Sequence, residues 1–200
     1  MHPGFTYVTL EQPSEGVYTD KGSRFIGYAY PISTEDEFKS ILKNVQAQNQ
    51  GARHFCYAYR LGKLNITERS NDDGEPAGTA GKPILNQLLS LRLTEICIVV
   101  VRYFGGTLLG TSGLIKAYKS AAKAAIENGT RIEKNITIIK QVTIPYAVYN
   151  RFMGCIKKYP VQWQTIQSTD AETCFLLEIP LENETEVMHE INTLIPGNED

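Results

Sequence analysis

The stretch Glu95-Ile96-Cys97-Ile98-Val99-Val100-Val101-Arg102-Tyr103-Phe104-Gly105-Gly106 constrains the fold more than any other part of the chain. It opens as a run of β-branched residues that is apolar on both faces, so it belongs deep inside a sheet covered on two sides. The run breaks at Arg102. Alternation puts that side chain on the same face as Val100 and Phe104. A guanidinium stays charged and is costly to bury alone. Arg102 therefore either pairs with a buried carboxylate, such as Glu75, or reaches a cleft at the strand end. Four glycines follow between Gly105 and Gly113, and then a helix. Glycine-rich turns ahead of helices expose backbone N–H groups and favour anions.

A chain of 200 residues with 42% hydrophobic and 21% charged residues has an ordinary globular composition. Its net charge of −2 gives no global pull toward nucleic acid or membrane. Cys56, Cys97, Cys155 and Cys174 show no metal-ligand spacing and read as small buried hydrophobes. Free thiols without a signal peptide point to the cytoplasm, and the aliphatic run Ile96 to Val101 is too short to span a bilayer. The charge is uneven. Residues 1–135 hold 16 Lys and Arg against 13 Asp and Glu, while residues 136–200 hold 4 against 9. Two domains are expected, 1–135 and 136–200.

In the first domain a hairpin region leads to a strand at about Arg24–Ile32. Thr34-Glu35-Asp36-Glu37 reads as a capping box, with Phe38, Ile41, Leu42 and Val45 continuing a helix to about Gln48. Arg53–Arg60 is a strand. Gly62–Gly81 reads mostly as loop. Pro83 suits a first helical turn, with Ile84, Leu85, Leu88 and Leu89 on the apolar face. An alanine-rich helix spans Leu114–Asn128 and is closed by Gly129. In the second domain the strand Thr137–Ile144 is followed by a helix carrying Tyr149, Phe152, Met153 and Ile156. Strands Val161–Ser168 and Thr173–Ile179 come next, and Asn183 is expected to cap a last helix. The order β-α-β-β-α is most of a ferredoxin-like unit.

Two segments resemble the signatures of the YigZ/IMPACT family: Gly74-Glu75-Pro76-Ala77-Gly78-Thr79-Ala80-Gly81, and Val101 to Gly110, extended by Lys116, Ala117 and Tyr118. The resemblance to bacterial members runs over essentially the whole chain. It implies an α+β protein of two domains. The first would have the α/β fold of the second domain of a small-subunit ribosomal protein. The second would be ferredoxin-like, similar to the last domain of elongation factor G. Eukaryotic relatives regulate translation by competing for the activator of a starvation-responsive kinase. They carry an extra amino-terminal domain, and this chain starts directly with the shared unit, so that mechanism is not expected here. For bacterial members the resemblance implies nucleic-acid or ribosome binding, an inference from fold alone.

Several residues are candidates for the site. The loop from Ser70 to Gly81 is long, and a phosphate could sit at the following helix start beside Thr79, Lys82 and Arg102. Asp72, Asp73 and Glu75 could hold a hard cation, but carboxylates in a polar loop ordinarily stay hydrated, and no metal or cofactor is expected. His54 shares a strand face with Cys56, Ala58 and Arg60 and reads as structural before catalytic. Phe55, Tyr57 and Tyr59 line the other face and read as core before a base-stacking platform. Lys116, Lys119 and Lys123 share one side of their helix, ordinarily a solvated face. The expected function is a non-enzymatic module bound to RNA, the ribosome or a translation-related protein. Arg102, Lys82 and the three lysines would neutralise phosphates, with Gly78, Thr79, Gly105 and Gly106 offering donors. One alternative is a small hydrolase using Asp72, Asp73, Glu75 or His54. Another is a regulator that binds protein through the sheet or the acidic second domain.

Overall fold

The computed structural model describes residues 4–195. The chain divides into two compact units, one of residues 7–134 and one of residues 135–195 with the short stretch that ends at Thr6. That stretch thus falls with the second unit, whereas the charge count alone had suggested an undivided 1–135.

In the first unit the strands are β1 (Thr6–Leu10), β2 (Ser14–Asp20), β3 (Ser23–Pro31), β4 (His54–Leu61), β5 (Thr67–Asn71), β6 (Ile96–Tyr103) and β7 (Arg131–Asn135). The helices are α1 (Glu35–Gln48), α2 (Gly81–Ser90) and α3 (Gly110–Glu127). The main sheet has the order β2-β3-β6-β4-β5, with every neighbour antiparallel. β6 is central, and residues Ile96 to Val101 are fully buried. Complete burial of such a side chain stabilises the fold by about 1.5–3 kcal/mol. One face of β6, with Ile98 and Val100, packs under α2 and α3 beside Phe25, Cys56 and Tyr118. The other, with Val99 and Val101, packs under α1 beside Phe38, Val45 and Tyr59. β1 and β7 form a separate two-stranded sheet.

Gly16 and Gly27 face each other across β2 and β3. A Cβ at either would run into the backbone of α3 at Ala121 or Ala124, so these glycines and the helix alanines let α3 lie directly on the sheet. The cap of α1 forms nearly as expected. Thr34 Oγ1 accepts from the Glu37 N–H at 3.1 Å, but Glu37 reaches back to the N–H of Ser33 rather than Thr34. Phe55 and Tyr57 are half-buried and Tyr59 is buried, all packed with the α1 cluster, so this row is core.

Other expectations need correction. Gly62–Gly81 is mostly loop as expected, but the strand β5 lies within it. Its residues Thr-Glu-Arg-Ser-Asn are all exposed, so no apolar alternation marks a strand that is held by backbone pairing to β4. β7 was missed for the same reason. α3 begins at Gly110, one turn before Leu114, and Leu109 caps it without a side-chain bond. Leu89 is exposed, off the inner face of α2.

The second unit holds β8 (Thr137–Pro145), α4 (Tyr149–Ile156), β9 (Gln162–Ser168), β10 (Glu172–Pro180) and α5 (Glu184–Leu194). Its sheet order is β8-β10-β9, again antiparallel. Phe152, Ile156, Phe175, Leu177, Val187 and Ile191 form its core. Asn183 does not cap α5 through its side chain; a 3-10 turn, Leu181–Asn183, precedes the helix, and Asn183 Oδ1 is buried without a partner. Among the described residues no helix is long and apolar enough to cross a membrane.

Candidate functional site

β3, β6 and β4 bring Phe25, Arg102 and His54 side by side in one row across the sheet. Arg102 has the buried carboxylate partner posed for it. Its Nη1 donates to Glu75 Oε1 at 2.6 Å, and both side chains are buried. Tyr118 on α3 donates its hydroxyl to the same oxygen at 2.7 Å. Burial above all, then Cys56 and Glu75, push the Tyr118 hydroxyl far up, so it stays protonated and donates. The guanidinium also lies against two rings, with 5.5 Å to each of the Phe25 and Phe104 centroids.

The loop between β5 and α2 presents the expected anion site, but the anion is the chain's own. Asp72 Oδ2 accepts from the Gly78 N–H at 2.9 Å, and Oδ1 accepts from those of Ala80 at 2.9 Å and Gly81 at 2.8 Å. Burial raises the Asp72 carboxyl, but the bonds from Gly78, Gly81 and Ala80 outweigh it and hold the group below its ordinary value. Thr79 is also spent, donating its hydroxyl to the Pro76 carbonyl at 2.6 Å. The start of α2 is thus filled from within.

The same loop is tied to the end of β4. Phe55 N–H donates to Asp73 Oδ2 at 2.6 Å, Cys56 Sγ donates to the Asp72 carbonyl at 3.0 Å, and His54 Nδ1 lies 2.8 Å from the Asp73 carbonyl. That carbonyl can only accept, so Nδ1 carries a proton and Nε2 is the ring nitrogen left for a ligand. Burial pushes the Cys56 thiol far up, which removes it as a nucleophile. Asp72, Asp73 and Glu75 each face a different partner. Among the described residues no three His, Cys, Asp or Glu side chains gather to hold a metal.

Gly105 donates its N–H to Ser23 Oγ at 3.1 Å, and a Cβ on it would sit inside the backbone of Gly22 and Ser23. Its role is close packing of the β6 exit against the β2–β3 turn. Gly106 has φ 84° and open space around it. Lys82 and Lys116 are exposed.

Lys119 and Lys123 come together with Arg131 in a groove of about 420 Å³ at the carboxyl end of α2, lined also by Gln87, Ser90, Leu91 and Glu127. Arg131 was missed by sequence reasoning because it follows α3 on the unrecognised β7. A second cavity, of about 590 Å³, lies at the ends of β4 and β6. Arg53, His54, Arg102, Tyr103, Phe104 and Leu108 line it. Leu108 lies within the second signature segment, and Arg53 immediately precedes the strand that carries Phe55, Tyr57 and Tyr59; neither was singled out as a ligand group.

A sequence model of the Impact N-terminal domain matches residues 21–126, more than half of the chain. IMPACT family member YvyE of Bacillus subtilis (strain 168) is 36% identical over 141 residues, covering 70% of this chain and 65% of that protein. IMPACT family member YigZ of Escherichia coli (strain K12) is 43% identical over 116 residues, covering 57% of each. The matched stretches thus span less than two thirds of either relative. A solved structure described as the crystal structure of a hypothetical protein superposes with a TM-score of 0.74 at 29% identity, covering 97% of this chain and 95% of that one. On the domain match and these relatives, the chain belongs to the IMPACT family.

Proposed function

We propose that this chain is a non-catalytic binding module that acts in translation in the cytoplasm and holds RNA by its phosphates. The fold reading that accompanies it gives the first unit the fold of a ribosomal-protein second domain and the second a ferredoxin-like fold. Family membership and the role of the eukaryotic relatives support the setting. One observation carries the ligand class: the groove at the carboxyl end of α2, where Lys119, Lys123 and Arg131 face a single carboxylate, Glu127. Glu127 lies 3.5 Å from Lys123, and both are exposed, so the pair is weak. A helix carboxyl end contributes about half a negative charge. Three cations exceed these together, and the surplus suits a phosphate backbone.

The non-catalytic part rests on what the candidate chemistry is already doing. Each carboxylate of the Asp72–Glu75 loop has an internal partner, and the Cys56 thiol is held protonated.

Fluorescence anisotropy with a short labelled RNA over a salt series tests this reading. Affinity should fall steeply with salt, because each neutralised phosphate releases counterions. Changing Lys119, Lys123 and Arg131 to Gln should flatten the log–log slope by about 2–3. Absence of binding by the unaltered chain at low salt would overturn the RNA reading and favour a protein partner.

A further inference from the structure

The cavity at the ends of β4 and β6 lies apart from the lysine groove in its lining residues and differs from it in chemistry. It has about 590 Å³, within the roughly 300–1,000 Å³ of small-ligand sites. No carboxylate lines it, whereas Arg53, His54 and Arg102 do. Arg53 is exposed and makes no ion pair among the described residues.

Arg102 is the second, independent observation. Its side chain is only 8% exposed, Glu75 occupies one of its terminal nitrogens, and its Nε is buried with no acceptor. A buried N–H left unbonded costs about 1–3 kcal/mol, so such a group calls for an oxygen. Phe104 is the third. It rests on the guanidinium yet is 55% exposed, and Leu108 beside it is 83% exposed. Large apolar side chains held open beside cations make a wall for something flat and negatively charged.

We infer that this cavity binds one nucleotide unit, with its base laid on Phe104 and Leu108 and its phosphate held by Arg53. Arg102, which lines the cavity, adds its positive charge. Aromatic stacking accepts any base, and the cations read the phosphate, so the site is specific for a nucleotide's shape and charge rather than for sequence. A duplex keeps its bases stacked away from such a wall, so the unit is a free mononucleotide or an unstacked nucleotide of a single strand. Only the second source rests on the RNA reading above.

The test is an amide-shift titration of the full chain with uridine 5′-monophosphate, inorganic phosphate and a uridine hexanucleotide. Uridine monophosphate should shift the amides of Gly51, His54, Phe104 and Gly106 saturably, and phosphate should bind at least tenfold more weakly. Phe104→Ala and Phe104→Leu should each weaken the nucleotide about tenfold, the leucine variant showing that a flat face and not mere greasiness is needed. Arg53→Ala should weaken it several-fold and reduce the salt slope by about 1. Equal affinity for phosphate and nucleotide, or nucleotide affinity untouched in both Phe104 variants, overturns the inference. If the hexanucleotide shifts only Lys119 and Lys123 and the mononucleotide binds nowhere, the groove reading stands and this inference falls. If the mononucleotide saturates the cavity and the hexanucleotide binds nowhere at low salt, the inference stands with a free nucleotide as ligand, and the RNA reading falls.

Discussion

At the amino end of α2 three backbone N–H groups converge on the Asp72 carboxylate, whereas at its carboxyl end Lys119, Lys123 and Arg131 face a groove with one carboxylate, Glu127. In the sequence the first end read as a candidate anion site, while Lys119 and Lys123 read as part of a stripe on the following helix, ordinarily a solvated face. The first is satisfied internally and is a piece of fold. The second keeps a charge surplus and is a piece of surface. The difference teaches that counting donors does not locate a ligand. What matters is which donors the chain has left over after its own acceptors have been placed.

The sharpest way to break this contrast is to remove the arginine that the closed side depends on. Arg102→Ala leaves Glu75 buried with only the Tyr118 hydroxyl on its Oε1, and should cost about 3–5 kcal/mol in urea melts. Adding Glu75→Gln to that variant should recover part of the loss, since no uncompensated charge then remains. A loss below about 1 kcal/mol in the single variant would show that the pair is not holding the fold.

A smaller effect is expected at Asp72. Asp72→Ala removes the acceptor for three N–H groups at a helix start and should cost about 1 kcal/mol. Its folded carboxyl sits below the ordinary value. The stabilisation is therefore complete above the unfolded value, near pH 4, and is lost as pH falls through the lowered folded value. Asp72→Asn should flatten the acid limb of the stability–pH profile below about pH 4 while leaving the neutral region nearly level. An unchanged acid limb would mean that the carboxylate's charge is not what the N–H groups use.

The smallest effect belongs to the open side. A double-mutant cycle on Lys123 and Glu127 should give about 0.3–0.5 kcal/mol, vanishing in high salt. A coupling above 1 kcal/mol would reveal a groove more closed than its exposure indicates.

How much of this was legible varies with what each residue touches. β6 was readable because Ile96–Val101 is apolar on both faces, a pattern few other placements satisfy. α1 was readable because Thr34 and Glu37 carry their own cap. The alternatives for Arg102 were readable from charge and alternation, but its partner required knowing how the loop folds back over β4. β5 and β7 were invisible because pairing is a backbone property, and their side chains stay in water. The start of α3 was misplaced because its first turn, Gly110-Thr111-Ser112-Gly113, is glycine-rich and largely exposed, so neither propensity nor an apolar pattern marks it. Gly78–Gly81 was read as a place for a ligand anion, because glycines before a helix leave N–H groups free. What escaped notice is that Asp72, six residues before Gly78, can turn back and fill it.

The central place of β6 has a consequence for how the chain is made. Its two neighbours, β3 and β4, both precede it in the sequence. About 65 residues separate the end of β3 from the start of β6, so at roughly 5–20 residues per second a ribosome takes on the order of 3–13 s to deliver the central strand. During that interval the β2–β3 hairpin waits with the β3 edge open, and the β4–β5 hairpin joins it only once Asn71 has been made. The strand most prone to aggregate is the last of the five to emerge. Both of its flanking partners are already synthesised when it does, so its exposure to other chains is brief.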